Sequence, residues 1–174
     1  MIIWLNGTFG AGKTTTAKVV TSLLPDSRLF DTEKVGEMLC HVLGVPEKDF
    51  QDFPPWRGLV VETARQVLDH VGGTLVVTQT VLVESYWQEI HDGLTQAGIP
   101  VHHFLLHTGR DTLVERIETD TAPENAGARQ WRLDHLTDYE RALPWLRREA
   151  QEIDTTGVLP AEVAETVLRK VRTS

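Results

Sequence analysis

The chain alternates short runs of nearly continuous apolar or β-branched residues with longer stretches whose apolar residues recur at helical spacing. Ile2-Ile3-Trp4-Leu5-Asn6 predicts a buried first strand. A helix starts at the glycine-rich turn that follows, runs to about Leu24 and is stopped by Pro25. Arg28-Leu29-Phe30 predicts a short second strand ending at Asp31, then a helix through about Leu43, closed by Gly44 and Pro46. Residues 46–55, rich in prolines and acids, predict a loop before a helix over about 56–71. Thr74-Leu75-Val76-Val77-Thr78 is nearly all apolar or β-branched, as central parallel strands tend to be. A helix from about Ser85 to Ala97, a strand from Val101 to Leu106 and a helix from Asp111 to about Glu118 come next. Residues 119–128 predict a mobile loop, followed by a helix over about 129–148. A short strand around Ile153 and a helix from Pro160 to near Val171 complete the pattern.

Strands separated by helices predict βαβ units, a parallel sheet and right-handed crossovers, an α/β fold. The length of 174 residues and the lack of a long linker predict one domain over 1–174. Within it, about 32–71 form a helical region on the acceptor side and about 119–135 a lid. The segments 46–55 and 119–128 are expected to move over a site rather than to divide the chain.

Composition narrows the choice by exclusion. A net charge of −8 without a long basic run argues against nucleic acid or an anionic membrane as the main partner. The single cysteine, Cys40, lies in an apolar helical pattern and predicts a buried thiol, in keeping with a reducing cytoplasm. The chain shows neither a signal-peptide pattern nor a membrane-spanning run, so a cytoplasmic location is expected.

The most specific chemistry is Gly7-Thr8-Phe9-Gly10-Ala11-Gly12-Lys13-Thr14, between an apolar strand and a helix. Glycines let such a backbone curl so that its N–H groups point at phosphate oxygens, and the helix adds its positive end. Lys13 supplies charge to the β and γ phosphates, and the Thr14 hydroxyl suits magnesium. Gly7 to Thr15 are therefore candidates for binding a nucleoside triphosphate, ATP or GTP, with Mg2+.

In open parallel sheets, ligands gather at the carboxyl ends of the strands. Asp31 ends the second strand and is the candidate general base for a bound hydroxyl, although it also suits a helix N-cap. Glu33 is either a solvated helix residue or a group reaching magnesium through water. Gln79 follows the third strand, where a motor-type ATPase would carry an acid; a glutamine there suits a polar small-molecule acceptor. Arg57 is a candidate for gripping an acceptor carboxylate or phosphate, and Trp56 either stacks on a ring or packs. Arg116, Arg129 and Arg132 flank the predicted lid, placed to offset charge on the transferred phosphoryl or to stack on the donor's base. His102 and His103 would point to opposite faces of a strand, so with His107 they do not predict a metal site.

These residues resemble the bacterial tunicamycin-resistance ATP-binding proteins. Besides residues 1–14, Asp31-Thr32-Glu33-Lys34-Val35-Gly36, the stretch from Asp49-Phe50-Gln51-Asp52-Phe53 to Trp56-Arg57, and His102-His103-Phe104 carry the resemblance, which runs to about residue 120. The tail Ile153 to Gly157 with Pro160 is similar to a segment of nucleoside-monophosphate-kinase-like P-loop proteins. The resemblance implies a three-layer P-loop kinase fold of the nucleotide/shikimate kinase type, with sheet order 2-3-1-4-5 and a helical lid. It also implies phosphorylation of a sugar hydroxyl on a nucleoside antibiotic that mimics a UDP-sugar, and so antibiotic resistance. By position it makes Asp31 the base, sets Arg57 and Gln79 toward the acceptor, and puts Arg116 and Asp154 to Thr156, including Thr155, by the nucleobase. Similar kinases often carry a second arginine one helical turn after the first, where this chain has Asp120. The competing expectations are a protein that sequesters the antibiotic without chemistry, and a nucleotide or metabolite kinase. Expected partners are the triphosphate and a small acceptor, with the chain as monomer or homodimer.

Overall fold

Every residue of β1 (Ile2–Asn6) is buried, and this strand takes the middle of the sheet. The computed structural model describes residues 1–45, 49–122 and 127–173. Its five strands, β1, β2 (Ser27–Phe30), β3 (Thr74–Thr78), β4 (Val101–His107) and β5 (Gln151–Asp154), are all parallel in the order β2-β3-β1-β4-β5. β1 pairs with β3 in the register Ile3↔Val76 and with β4 as Leu5↔Phe104. The three central strands are the most apolar because helices cover both of their faces. The edge strand β2 leaves Leu29 exposed.

The helices are α1 (Lys13–Leu23), α2 (Glu33–Leu43), α3 (Pro54–Val71), α4 (Glu84–Gln96), α5 (Arg110–Glu118), α6 (Arg129–Asp134), α7 (Leu136–Glu149) and α8 (Pro160–Thr173). α1 packs against α8 and over β1 to β3, whereas α3 packs on α4 and α4 on α7. Trp4, fully buried in mid-β1, meets Trp87 of α4 edge-on with ring centroids 5.2 Å apart. Full burial of side chains such as Leu5, Phe104 and Leu106 contributes about 1.5–3 kcal/mol each. Cys40 is buried on the inner face of α2. Gly36 is required there, because a Cβ would come within 2.4 Å of the Phe50 ring.

Two element boundaries differ from the sequence expectation. Phe50–Asp52 forms a 3-10 turn, capped by the Asp49 side chain, and α3 opens two residues early with Pro54 and Pro55 in its first turn, where a missing N–H costs nothing. The helix expected over 129–148 is two helices joined at His135. Residues 46–48 of the expected loop and 123–126 of the expected lid lie outside the described residues. Among the described residues, no helix is long and apolar enough to cross a membrane.

Candidate active site

The carboxyl ends of β1 to β4 bring Asn6, Asp31, Gln79 and Thr108 to one rim of the sheet. The loop after β1 turns there with Gly7, Gly10 and Gly12 all at positive φ. Gly7 cannot be replaced cheaply: at φ 140° a Cβ would lie 2.5 Å from the Leu106 carbonyl. Asn6, fully buried, fastens the loop. Its Oδ1 accepts from the N–H groups of Gly7 (2.8 Å) and Val81 (3.1 Å), and its Nδ2 donates to the Val81 carbonyl (3.1 Å). The Thr80 hydroxyl donates to the Gly7 carbonyl at 2.8 Å. The loop is thereby tied to the segment after β3.

α1 starts at Lys13 with neither an acid in its first turn nor a side-chain cap. Its first N–H groups and its positive end are left for an anion. Lys13 Nζ donates to the carbonyls of Gly7 (2.8 Å) and Thr8 (3.0 Å). Burial lowers this ammonium to about 8, Glu33 pulls it up, and Arg132 pushes it down. Lys13 and Arg132 meet at one ring: Nζ lies 5.7 Å and the guanidinium carbon 5.4 Å from the centroid of Phe9. Two cations over one loop make a site for concentrated negative charge.

Thr32 is the N-cap of α2, and Asp31, one residue before it, accepts from the N–H of Glu33 at 3.0 Å and so still anchors the start of the helix. Burial raises the Glu33 carboxyl, Asp31 raises it further, and Lys13 draws it back. The two carboxylates and the loop lysine thus form one electrostatic group. Thr14, at the first turn of α1, is exposed. A hydroxyl and two carboxylates make an all-oxygen donor set, which fits magnesium.

On the other side of the loop, Arg116 of α5 donates from Nη1 to the Gly10 carbonyl (3.0 Å) and from Nη2 to the Thr155 carbonyl (2.8 Å). Thr155 is held in turn by its N–H on the His107 carbonyl at 2.8 Å. A cavity of about 290 Å³ opens here, lined by Thr15, Arg116, Thr155, Val158 and Pro160 among others. Of the residues expected beside the donor's base, Arg116 and Thr155 line this cavity next to the phosphate loop, whereas Asp154 and Thr156 are not in its lining.

The lid residues separate. Arg132 Nη1 donates to Asp120 at 3.0 Å, so the residue standing where a second arginine was expected anchors the arginine that reaches the loop. Arg129 opens α6 and is exposed. Two acceptor-side expectations, Trp56 and Arg57, need correction in this conformation. Trp56 is fully buried and donates from Nε1 to the Thr32 carbonyl at 3.0 Å, leaving no face for a ligand. Arg57 is also buried. It pairs with Glu89 (2.6 Å), bonds the Gln51 carbonyl and lies 4.2 Å over the Tyr86 ring, which pins the 3-10 turn to α3 and α4. Gln79 is buried, with its Oε1 accepting from the Thr32 hydroxyl at 2.7 Å.

Sequence reasoning missed Asn6 and the aromatic side of the lid, where Phe9, Trp131 and His135 meet. Asn6 could have been suspected as a polar residue ending an apolar strand; the aromatic contact joins residues too far apart in sequence to leave a local signal. His103 is buried against Trp87 at 3.8 Å and His107 bonds the Tyr139 hydroxyl at 2.7 Å.

A search of curated proteins finds no match. Among solved structures, the chain is similar to the tunicamycin resistance protein of Deinococcus radiodurans, with 28% identity over 98% of this chain and 94% of that one and a TM-score of 0.73. A gluconokinase from Sinorhizobium meliloti (18% identity, 98% and 91% covered, TM-score 0.66) and a sugar kinase from Janibacter sp. (18%, 98% and 94%, 0.69) share the fold. The recognised resemblance and the expected sheet order agree with these findings. Residues 2–139 match the AAA domain family, and the chain belongs to that family in its P-loop kinase-like form.

Proposed function

We propose that this chain transfers the γ-phosphoryl group of ATP or GTP to a hydroxyl of a nucleoside-type antibiotic of the tunicamycin kind, and so confers resistance. The observation that carries this reading is the convergence of Lys13 and Arg132 on Phe9, with Glu33 facing the same lysine and Asp31 beside Glu33. Cations gathered where the transferred group passes stabilise its charge, and a carboxylate beside them accepts the proton of the attacking hydroxyl. The hydroxyl oxygen forms the new bond to phosphorus, the bond to the nucleoside diphosphate breaks, and the proton goes to Asp31. Thr14 would hold magnesium directly, with Asp31 and Glu33 reaching it through water. When bound there, magnesium would supply positive charge beside the transferred phosphoryl group. Arg116, Thr15 and Thr155 hold the donor's nucleoside in the adjoining cavity. Gln79 contributes to the acceptor side. On this reading residues 1–174 act as one cytoplasmic domain, as monomer or homodimer.

A second reading, capture of the antibiotic without chemistry, is favoured by one observation: Arg132 is held by Asp120. Asp31→Asn separates the two. A phosphotransferase loses turnover by about 10²- to 10⁴-fold while keeping antibiotic affinity. If the variant protects cells from tunicamycin as well as the wild type does, transfer is not the activity. A metabolite kinase would instead phosphorylate a common sugar, nucleoside or nucleotide in a substrate panel.

A further inference from the structure

Four of the five tryptophans are core residues, with Trp4, Trp56, Trp87 and Trp145 between 0% and 7% exposed. Trp131 of α6 is 49% exposed. One edge contact holds it to Phe9 of the phosphate loop (centroids 5.0 Å, 62°), and His135 lies against it at 4.0 Å. His135 also reaches Phe9 (6.4 Å, 89°), and its Nδ1 meets the Trp131 carbonyl at 2.6 Å. A large indole held by Phe9 and His135 among the described residues, and half-exposed, offers a face to something flat. The donor's base is not the candidate, because its cavity lies by Arg116 and Thr155, contacts that involve neither Trp131 nor α6. His135, at the junction after α6, instead stands near Asp49: burial raises that carboxyl, and the Gln51 N–H and, less, His135 draw it back. Asp49 caps the 3-10 turn, whose Gln51 donates to the Thr80 carbonyl at 2.9 Å.

We propose that Trp131, backed by Phe9 and His135, is the specificity platform on which a planar ring of the acceptor stacks. This rests on the phosphotransferase reading and deepens it. The acceptor carries a nucleobase or an equally flat ring as well as its hydroxyl, which sets it apart from a ringless sugar acid. Because Phe9 belongs to the phosphate loop, a ring seated on Trp131 places its hydroxyl at the loop's acceptor side, where Asp31 and Glu33 stand.

Calorimetry with uridine, tunicamycin and gluconate as probes tests this, using the full chain with magnesium and a non-hydrolysable ATP analogue. Wild type, Trp131→Ala and Trp131→Phe are compared. Stacking of one base predicts that Trp131→Ala weakens uridine and tunicamycin binding about tenfold or more, while Trp131→Phe recovers most of it. The affinity for the ATP analogue and the melting temperature stay at wild-type values. The platform is overturned if Trp131→Ala binds the ring-bearing probes as tightly as wild type, if the loss appears in the ATP analogue instead, or if wild type binds neither ring-bearing probe. Product formation is read separately by mass spectrometry. Trp131-dependent binding without product overturns transfer and leaves the platform. Product with an acceptor KM indifferent to Trp131→Ala overturns the platform and leaves transfer.

Discussion

Arg132 of α6 donates to Asp120, just past α5, at 3.0 Å, and the same guanidinium lies 5.4 Å from the Phe9 ring. An acid just past α5 thus orients the arginine that lies over Phe9 of the phosphate loop. Arg132→Ala is expected to lower kcat about a hundredfold, as loss of one stabiliser of transition-state charge does. Asp120→Ala should lower it about tenfold, and the double variant should be no worse than Arg132→Ala alone, because residues acting through one contact are not additive. Additive losses in the steady-state cycle would show that Asp120 acts independently.

Lys13 predicts a pH limit on donor binding. Burial holds its ammonium at about 8 in the absence of nucleotide. Only the charged form attracts the triphosphate. MgATP affinity should therefore be level below pH 8 and fall above it, by up to about tenfold per pH unit. An unperturbed lysine would hold until about pH 10. Lys13→Arg, which stays charged, should bind more weakly overall but lose the break near pH 8. Calorimetry from pH 7 to 9.5 measures both profiles.

His103 predicts acid sensitivity of the fold. Burial pushes its imidazole down to about 3, against the pull of the Glu149 carbonyl. The unfolded chain takes up the proton near the ordinary value of 6.5, whereas the folded chain does not. Stability from this group is complete above about 6.5 and is lost as pH falls through the window toward 3. The loss should be about 2 kcal/mol between pH 6.5 and 5. His103→Leu forfeits the Trp87 contact and is less stable at pH 7, but its urea midpoint should change less over that interval. An unchanged slope would assign the acid sensitivity elsewhere.

Arg57 predicts a structural effect where sequence reasoning expected an acceptor contact. Removing its guanidinium leaves the Gln51 carbonyl unpaired and the Tyr86 face uncovered. Arg57→Ala should cost about 2–3 kcal/mol in urea unfolding. Glu89→Gln, at the half-exposed end of the same pair, should cost less than about 1 kcal/mol. If Arg57→Ala instead kept full stability and raised only the acceptor KM, the acceptor role would be restored.

The fold was legible wherever it rested on local patterning. The apolar runs at Ile2, Thr74 and Val101 and the breakers at Pro25, Gly44 and Gly72 located strands and helices to within a few residues, because burial of one face imposes a short-range period. The phosphate loop was legible for a related reason: a backbone that must curl around phosphates demands glycines at fixed spacing. His135, where one expected helix becomes two, carries no breaker signal, so the division was invisible.

By itself, then, the sequence determined the α/β class, the phosphate loop with Lys13, and the candidacy of Asp31, Arg116 and Arg132. Tertiary structure decided what the remaining polar and aromatic side chains do. It buried Arg57 and Trp56 in contacts that hold the 3-10 turn, turned Asp120 into the anchor of Arg132, and brought Trp131 against Phe9 across more than a hundred residues. The physical reason is range. Propensity and periodicity act over a few residues, whereas the partner that makes an arginine a strut or sets a tryptophan against the phosphate loop is supplied by packing between distant segments.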